Sequence, residues 1–464
     1  MTIISNTPRP EISEAAILRS VLAAPEEPRR AFLAGGLTFG QLYSHAAVIG
    51  QCIRNLPDTK RPICLCTENK GLVTAALLAS LMEGIPLLIP YAFDSNTVKE
   101  ARKGLPFSYA LVESDESLPA GVTGLAFPEA DARPASDMPQ NPMAWDAPWL
   151  YLFTGGSTGT PRIWSKTPRN LLMEAVNIEK TFHVTPDDTI VATVPTNHIY
   201  GLLYAILLPL VSGASVDAPT PSFPHEIADR LQKTRATVIV SIPAHYRALK
   251  ETRIEKHQVW LAFSSAGALP EQDAVRFHDA TGIGVTEIYG STETGGIAQR
   301  TRAKGQTALY PFECADVRIE DQHLEVRSPF LSDELPRNEG GFFETADRAQ
   351  WSDPPGFTLL GRSDGIVKVG GKRVDLALTK EALMGAEGVR DVYVYARPVQ
   401  SGRENEILAL VEGSATTDQL TEIAHRQLPP YARPRHIKIA PKIPLTNTGK
   451  YYRTAIEAHF KSDA

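Results

Sequence analysis

Tyr151-Leu-Phe-Thr-Gly-Gly-Ser-Thr-Gly-Thr-Pro-Arg162 decides how the rest of this 464-residue chain is read. An apolar lead-in, Trp149 to Phe153, runs into a loop of Gly, Ser and Thr, which Pro161, Arg162 and the β-like pair Ile163-Trp164 close. Glycine tolerates φ > 0 and lets the backbone approach a ligand closely, and short hydroxyls add donors. Successive amide N–H groups in such a loop form a concavity that suits phosphate oxygens. The loop is no Walker A motif, because no Gly-Lys-Ser/Thr follows at the required spacing. Ordinary surface turns share this composition, so the reading depends on whether other polar loops converge on this one.

Downstream they do. Thr167-Pro168 supplies a helix start, with Thr as N-cap and Pro at the first helical position. Leu171, Ala175, Ile178 and Phe182 then share one face. Strand-like runs Thr189–Val194, Thr237–Val240, Val259–Phe263 and Gly284–Ile288 alternate with helical segments near 204–212, 224–234, 244–252 and 271–281. Alternation with continuously apolar strands predicts a parallel sheet covered on both faces. Ligands bind outside the carboxyl ends of such strands. The four runs lead into Pro195-Thr-Asn-His198-Ile-Tyr200-Gly, Ser241-Ile-Pro-Ala-His245, Ser264-Ser-Ala-Gly267-Ala-Leu-Pro270 and Tyr289-Gly-Ser-Thr-Glu293-Thr-Gly-Gly296. Four loops rich in Gly, hydroxyl and His therefore meet at one edge, which marks a site.

Upstream, residues 1–60 read as an α-rich entry, followed by strand-like Ile63–Cys66, a helix over Gly71–Met82 and a buried strand at Ile85–Pro90. Leu105 to Ala147, rich in Pro, Ala, Asp and Gly, reads as irregular cover with one or two short strands. Hydrophobic content of 43% and charged content of 22% are those of a soluble globular protein. The net charge of −6 comes without runs of like charge, which argues against a nucleic-acid surface. The apolar stretches Leu72–Pro90 and Leu202–Val211 are broken by Glu83, Pro86 and Pro209, so neither reads as a membrane span. Cys52, Cys64, Cys66 and Cys314 show no metal spacing. Cys64 and Cys66 read as buried thiols, and with no N-terminal signal visible a reducing cytoplasm is expected.

After Gly340 the composition changes. Gly361-Arg-Ser-Asp364-Gly365 is a turn-like break, followed by a hairpin (Ile366–Val369, Gly370-Gly371, Lys372–Leu376). A helix (378–386), strands (391–396 and 406–411), a helix (417–427) and a strand (435–439) complete an α+β unit of ordinary domain size. The expected build is a large α/β N-terminal domain with mostly parallel sheets over 1–361, a hinge at 362–365, and a small α+β C-terminal domain over 366–464.

Five segments then stand in a fixed order: the opening stretch, Tyr289-Gly-Ser-Thr-Glu293, Glu344-Thr-Ala-Asp347, Gly361-Arg-Ser-Asp-Gly-Ile-Val-Lys-Val-Gly-Gly-Lys-Arg373 and Pro444-Leu-Thr-Asn-Thr-Gly-Lys450. Together they resemble the adenylate-forming superfamily: acyl- and aryl-CoA synthetases, amino-acid adenylation domains and luciferases. The respective likenesses are to its phosphate loop, aromatic-Gly-x-Thr-Glu motif, Thr-Gly-Asp motif, hinge motif and C-terminal lysine loop. Asn197-His-Ile-Tyr200 is most similar to aryl-CoA ligases of the coumarate type. Departures are Gly155 where Ser is common, Arg162 where Lys is commoner, and Ala346 for the usual Gly beside Asp347.

The resemblance implies an ATP-dependent ligase with Mg²⁺, acting on a small carboxylic acid and then on CoA or the phosphopantetheine of an acyl carrier protein. Joining a carboxylate to a phosphate brings two anions together, so the site must supply positive charge and position. Glu293 is implied as the Mg²⁺ ligand, and Thr154, Gly155, Gly156, Ser157, Thr158 and Gly159 as holding the pyrophosphate end. Thr292 is assigned to the α-phosphate, and Ala266, Gly267, Ala268, Tyr289, Gly290 and Ser291 to the nucleotide, with Tyr289 facing adenine. Asp347 and Arg362 are assigned to the ribose, and Lys450 to charge neutralisation during adenylation. Asp364 is the hinge residue, while Lys368, Gly370 and Gly371 line a thiol tunnel. His198 contacts the substrate carboxylate or gates that tunnel. Tyr200, Ile242, Ala244, His245 and Gly267 form the acyl pocket. Amino-acid-activating relatives place an Asp where Ile199 stands, and a buried ammonium without a counter-charge is costly, so an aryl or medium acyl acid is expected. Carrier-protein loading is the alternative; a luciferase-like oxidase and a non-catalytic nucleotide-binding relative are the remaining ones.

Overall fold

The computed structural model describes residues 14–23, 25–113, 118–128, 142–154, 162–252, 254, 257–302, 306–352, 355–369, 372–399, 405–446 and 449–460. By packing, the described residues within 4–316 and 327–341 form one unit, and those within 317–326 and 342–464 form another.

Two sheets organise the larger unit. In the first the spatial order is Thr123–Ala126, Tyr109–Val112, Ile63–Cys66, Leu87–Ile89, Leu150–Thr154, Arg162–Lys166. Neighbours run parallel except the last two, where Phe153 faces Ile163 and Thr154 faces Arg162. The Gly/Ser/Thr stretch is thus flanked by two paired antiparallel strands. Cys64 and Cys66 are buried free thiols on one strand face, their sulfurs 3.5 Å apart. The helix Lys70–Glu83 is buried almost all round, matching a sequence apolar on every side.

The second sheet orders Tyr310–Pro311, Gly295–Thr301, Val285–Ser291, Leu261–Ser264, Val238–Ser241, Thr189–Ala192, Ser215–Val216. The four strands expected to be parallel are so, in adjacent register, and each has at least three buried residues. Their carboxyl ends therefore share one edge. The helix Pro168–Phe182 begins with the anticipated Thr167 cap, which forms a reciprocal capping box with Asn170. The segment expected as a helix from 204 instead starts at Ile199 and passes through a π-helical turn, Leu203–Leu207, into Leu208–Ser212. Pro209 has no N–H to donate, and a wider turn just before it accommodates that loss.

The smaller unit joins most of a four-stranded sheet (Asp316–Glu320, His323–Arg327, Phe343–Trp351, Phe357–Arg362) to the C-terminal elements. A 3₁₀ turn, Ser363–Gly365, leads into the hairpin Ile366–Val369 with Lys372–Asp375. The helix Leu376–Met384, strands Val389–Pro398 and Asn405–Gly413, helix Thr417–Gln427 and strand His436–Ala440 follow, close to their expected positions. Leu383, Val392, Ile407, Ala409, Val411 and Leu420 form their core.

Candidate active site

At the edge of the second sheet, Val285–Ser291 and Gly295–Thr301 pair as a hairpin with a bulge at Tyr289/Gly290. Its turn is tied internally. The Ser291 amide donates to the Thr294 hydroxyl at 3.0 Å, the Thr294 amide to the Ser291 hydroxyl at 3.2 Å, and the Thr294 hydroxyl to the Gly295 carbonyl at 2.9 Å. Thr292 and Glu293 are left half-buried at the tip. Gly290 and Gly295 are the positions where only glycine fits. A Cβ on Gly290 would lie 2.2 Å from the Gly295 carbonyl oxygen, and Gly295, at φ +67°, has Phe330 and Glu174 where its side chain would be.

Two charged groups support this turn from below, and neither was picked out from the sequence. Lys166 ends the strand that closes the opening stretch. It is fully buried, and its ammonium donates to the carbonyls of Glu293 at 3.2 Å and Phe330 at 2.7 Å. Glu174, also buried, accepts from the Gly296 amide at 2.6 Å, while its second oxygen has no hydrogen-bond partner among the described residues. Burial brings the Lys166 ammonium down to about 8 against the pull of Glu174 and Glu293. Burial likewise pushes the Glu174 carboxyl up to about 7, opposed by Lys166 and the Gly296 amide. The sequence did carry a signal: Glu174 lies three and four residues from Leu171 and Ile178, on the buried helix face.

The neighbouring loops reach the same edge. Ala266 takes a left-handed conformation, φ 69°, in a loop where Gly267 and Ala268 are exposed and Ser265 donates to the Ile288 carbonyl at 2.9 Å. Buried Glu287 accepts from the Leu269 amide at 3.0 Å and pairs with Arg300 and Arg302, fastening that loop to the hairpin. Tyr289 is half-buried, as is His198, which stands at the start of the helix after Thr189–Ala192. Asn197 donates to the Tyr91 carbonyl at 2.9 Å. Tyr200 is buried with its hydroxyl donating to the Ser241 carbonyl at 3.2 Å, and Ile242 is buried beside it in sequence to that strand. His245 Nδ1 lies 2.8 Å from the Thr193 hydroxyl, itself 2.8 Å from that of Ser241, while Ala244 is half-buried. The carboxyl ends of the second sheet's parallel strands thus lead into Thr292, Glu293, Tyr289, Gly290, Ser291, Ala266–Ala268, His198 and the expected pocket residues, while Thr154 ends a strand of the first sheet. Residues 155–159 lie outside the described residues.

In the smaller unit, Asp347 and Arg362 face each other across paired strands, Nη1 to Oδ1 3.6 Å. Arg362 and Lys368 are exposed, and Lys450 is exposed beside Gly449, which turns at φ +77°. Asp364 lies in the Ser363–Gly365 turn; Gly370 and Gly371 lie outside the described residues. Among the described residues no group of three or more His, Cys, Asp or Glu could hold a metal. No described helix is long and apolar enough to cross a membrane.

The profile of "AMP-binding enzyme" matches residues 22–331, and that of its C-terminal domain matches 380–450. The chain belongs to the AMP-binding enzymes. This is the adenylate-forming family of ATP-dependent acid–thiol ligases, as the five ordered motifs implied. Among relatives of this AMP-binding enzyme, the sulfoacetate–CoA ligase of Cupriavidus necator is 26% identical over 387 residues, covering 75% of either chain. The 4-coumarate–CoA ligase of Rhodobacter capsulatus is 26% identical over 327 residues, 64% of this chain and 73% of its own. ATP-bound MatB from Rhodopseudomonas palustris shares the fold, with TM-score 0.83 at 19% identity over 97% of this chain and 99% of its own.

Proposed function

We propose that this enzyme activates an aryl or medium acyl carboxylic acid as its acyl-adenylate and transfers the acyl group to the thiol of CoA. The observation that carries the reading is the Ser291–Thr294 turn. It presents Thr292 and Glu293 at the carboxyl edge of a parallel sheet, tied by its own hydroxyls and held from beneath by Lys166 and Glu174.

In the first step the substrate carboxylate attacks the α-phosphorus of ATP, a P–O bond to the β-phosphate breaks, and pyrophosphate leaves. The amides and hydroxyls of residues 154–159 hold the leaving group, Thr292 bonds the α-phosphate, and Tyr289 covers the adenine beside Ala266, Gly267, Ala268, Gly290 and Ser291. Asp347 and Arg362 hold the ribose. Glu293 would hold Mg²⁺, which supplies charge neutralisation at the phosphates when bound. Lys450 brings an ammonium to the two reacting anions, worth most where water is excluded. In the second step the thiol attacks the acyl carbon and AMP departs. For this Lys450 gives way to Lys368, Gly370 and Gly371 lining the thiol tunnel, with Asp364 in the hinge. His198 contacts the substrate carboxylate or gates that tunnel.

Ile199 offers no counter-charge for an α-ammonium, which disfavours amino acids. Tyr200, Ile242, Ala244, His245 and Gly267 supply a largely apolar pocket with two polar groups, the Tyr200 hydroxyl and the His245 imidazole. The test is carboxylate-dependent ATP–pyrophosphate exchange over aryl, medium-chain and short diacidic substrates, the relatives' sulfoacetate and 4-coumarate among them. Thioester mass with CoA or a holo-carrier then identifies the acceptor. Exchange with an aryl or medium acyl acid and a CoA thioester are expected. No exchange with any acid overturns the proposal, and thioester on the carrier alone reassigns the acceptor.

A further inference from the structure

Lys450 is exposed on a loop of the smaller unit, and a lysine side chain has enough rotatable bonds that its reach must be aimed from its backbone. The backbone on either side of the turn is tied together. Leu445 bridges Tyr451, the Thr446 amide donates to the Lys450 carbonyl at 2.7 Å, the Lys450 amide donates to the Thr446 hydroxyl at 3.2 Å, and the Tyr452 amide donates to the Pro444 carbonyl at 2.9 Å. Tyr451 is half-buried and Lys450, next to it in the chain, is exposed. Whatever fixes the Tyr451 side chain therefore also fixes the backbone from which Lys450 projects.

Tyr451 is held by more than packing. Its ring lies 4.9 Å from that of Tyr393, with the Lys380 ammonium 4.8 Å from its centroid. Its hydroxyl accepts from Lys380 at 2.7 Å and donates to Asp391 at 2.8 Å, and those two charges are 3.6 Å apart. Lys380 belongs to the helix Leu376–Met384 and Asp391 to the strand Val389–Pro398, so both ends of the clamp rest on regular structure. A phenyl ring would fill the same space. Only the hydroxyl, donating to one charge and accepting from the other, sets where the ring stands along the clamp.

We infer that Tyr451, held between Lys380 and Asp391, is a positioning residue that aims Lys450 for the adenylation step. The inference rests on the role given above to Lys450, and the experiment separates the two. In the full-length enzyme, Tyr451→Phe and Lys380→Met are compared with Lys450→Ala in both half-reactions: pyrophosphate exchange, and thioester formation from supplied acyl-adenylate. Tyr451→Phe and Lys380→Met are each expected to lower exchange about tenfold. Thioester formation stays within about twofold, because Lys450 is not used there. Asp391→Asn, which keeps an acceptor oxygen for the Tyr451 hydroxyl, retains most of the exchange, whereas Asp391→Ala falls with the others. A merely structural clamp would lower both half-reactions in step, and that result overturns the inference, as does unchanged exchange in Tyr451→Phe while Lys450→Ala loses it. Full exchange in Lys450→Ala overturns the role of Lys450 and removes the ground for the clamp.

Discussion

Gly290 stands where a single methyl group would meet unyielding backbone. The Gly295 carbonyl oxygen is 2.2 Å from where a Cβ would be, and it belongs to the strand paired with Gly290. Gly290→Ala must therefore spread the hairpin at the bulge, moving Thr292 and Glu293. A displacement of about 1 Å in a positioned group costs on the order of a hundredfold in rate, so exchange activity should fall at least tenfold, with Mg²⁺ half-saturation rising; initial rates over a Mg²⁺ series measure both. Beneath the same turn, Lys166 and Glu174 occupy a closed environment that neither tolerates alone. Removing one partner of a buried charged pair costs about 3–5 kcal/mol, whereas replacing both costs far less. Lys166→Met is thus expected to lose roughly 3 kcal/mol in urea unfolding, and Lys166→Met with Glu174→Gln less than the sum of the single changes. Strict additivity would mean that the two charges do not interact.

Among the elements, Lys70 shows how burial sets a pH response. It opens the helix Lys70–Glu83 at 1% exposure, its ammonium donating to the carbonyls of Ala218 and Pro219 and the hydroxyl of Thr220. Burial outweighs these contacts and the nearby Asp217, bringing it down to about 8. Unfolded, it titrates near ~10.4. Between those values the unfolded chain binds the extra proton, so this group makes stability rise with pH from about 8 to about 10; below about 8 both states are protonated and its contribution is flat. The difference in urea midpoint between wild type and Lys70→Met, followed across that window, should change by this rise, and a constant difference would mean the three acceptors hold the proton on. The parallel strands and the Pro168–Phe182 helix were legible because uniform apolar runs and a Thr-Pro cap are strong local signals. The strands from Asp316 to Arg362 were not. They are rich in charged residues, Arg318 pairs with Glu325 across two of them, and the bulge at Arg348/Ala349 interrupts the two-residue alternation. The hairpin partner Gly295–Thr301 was hidden by its glycines. In the site, the hydroxyl-rich loops announced themselves by composition, whereas Lys166 and Glu174 sit where sequence patterns expect apolar residues, and only their buried partners explain them.

At the scale of the whole molecule, the proposed chemistry divides between the two packing units. Thr292, Glu293 and Tyr289 belong to the larger; Asp347, Arg362 and Lys450 belong to the smaller. Positive charge from Lys450 is useful only within a few Å of the reacting anions, because Coulomb interaction through water weakens quickly with distance and salt. On the role proposed for Lys450, adenylation draws part of the smaller unit onto the nucleotide, and a stable acyl-sulfamoyl adenosine made from the preferred acid should capture that state. Hydrogen exchange of the full chain is expected to slow at 285–296, assigned above to the nucleotide, and also at 449–452 and 363–366. In Lys450→Ala the protection at 285–296 should persist while that at 449–452 is lost, since the nucleotide loops need no ammonium to bind the adenosine but the lysine loop has no other charge at that position. Protection confined to 285–296 in the wild type would mean that the smaller unit does not engage the adenylate, and the assignment of Lys450 to the first step would fall with it.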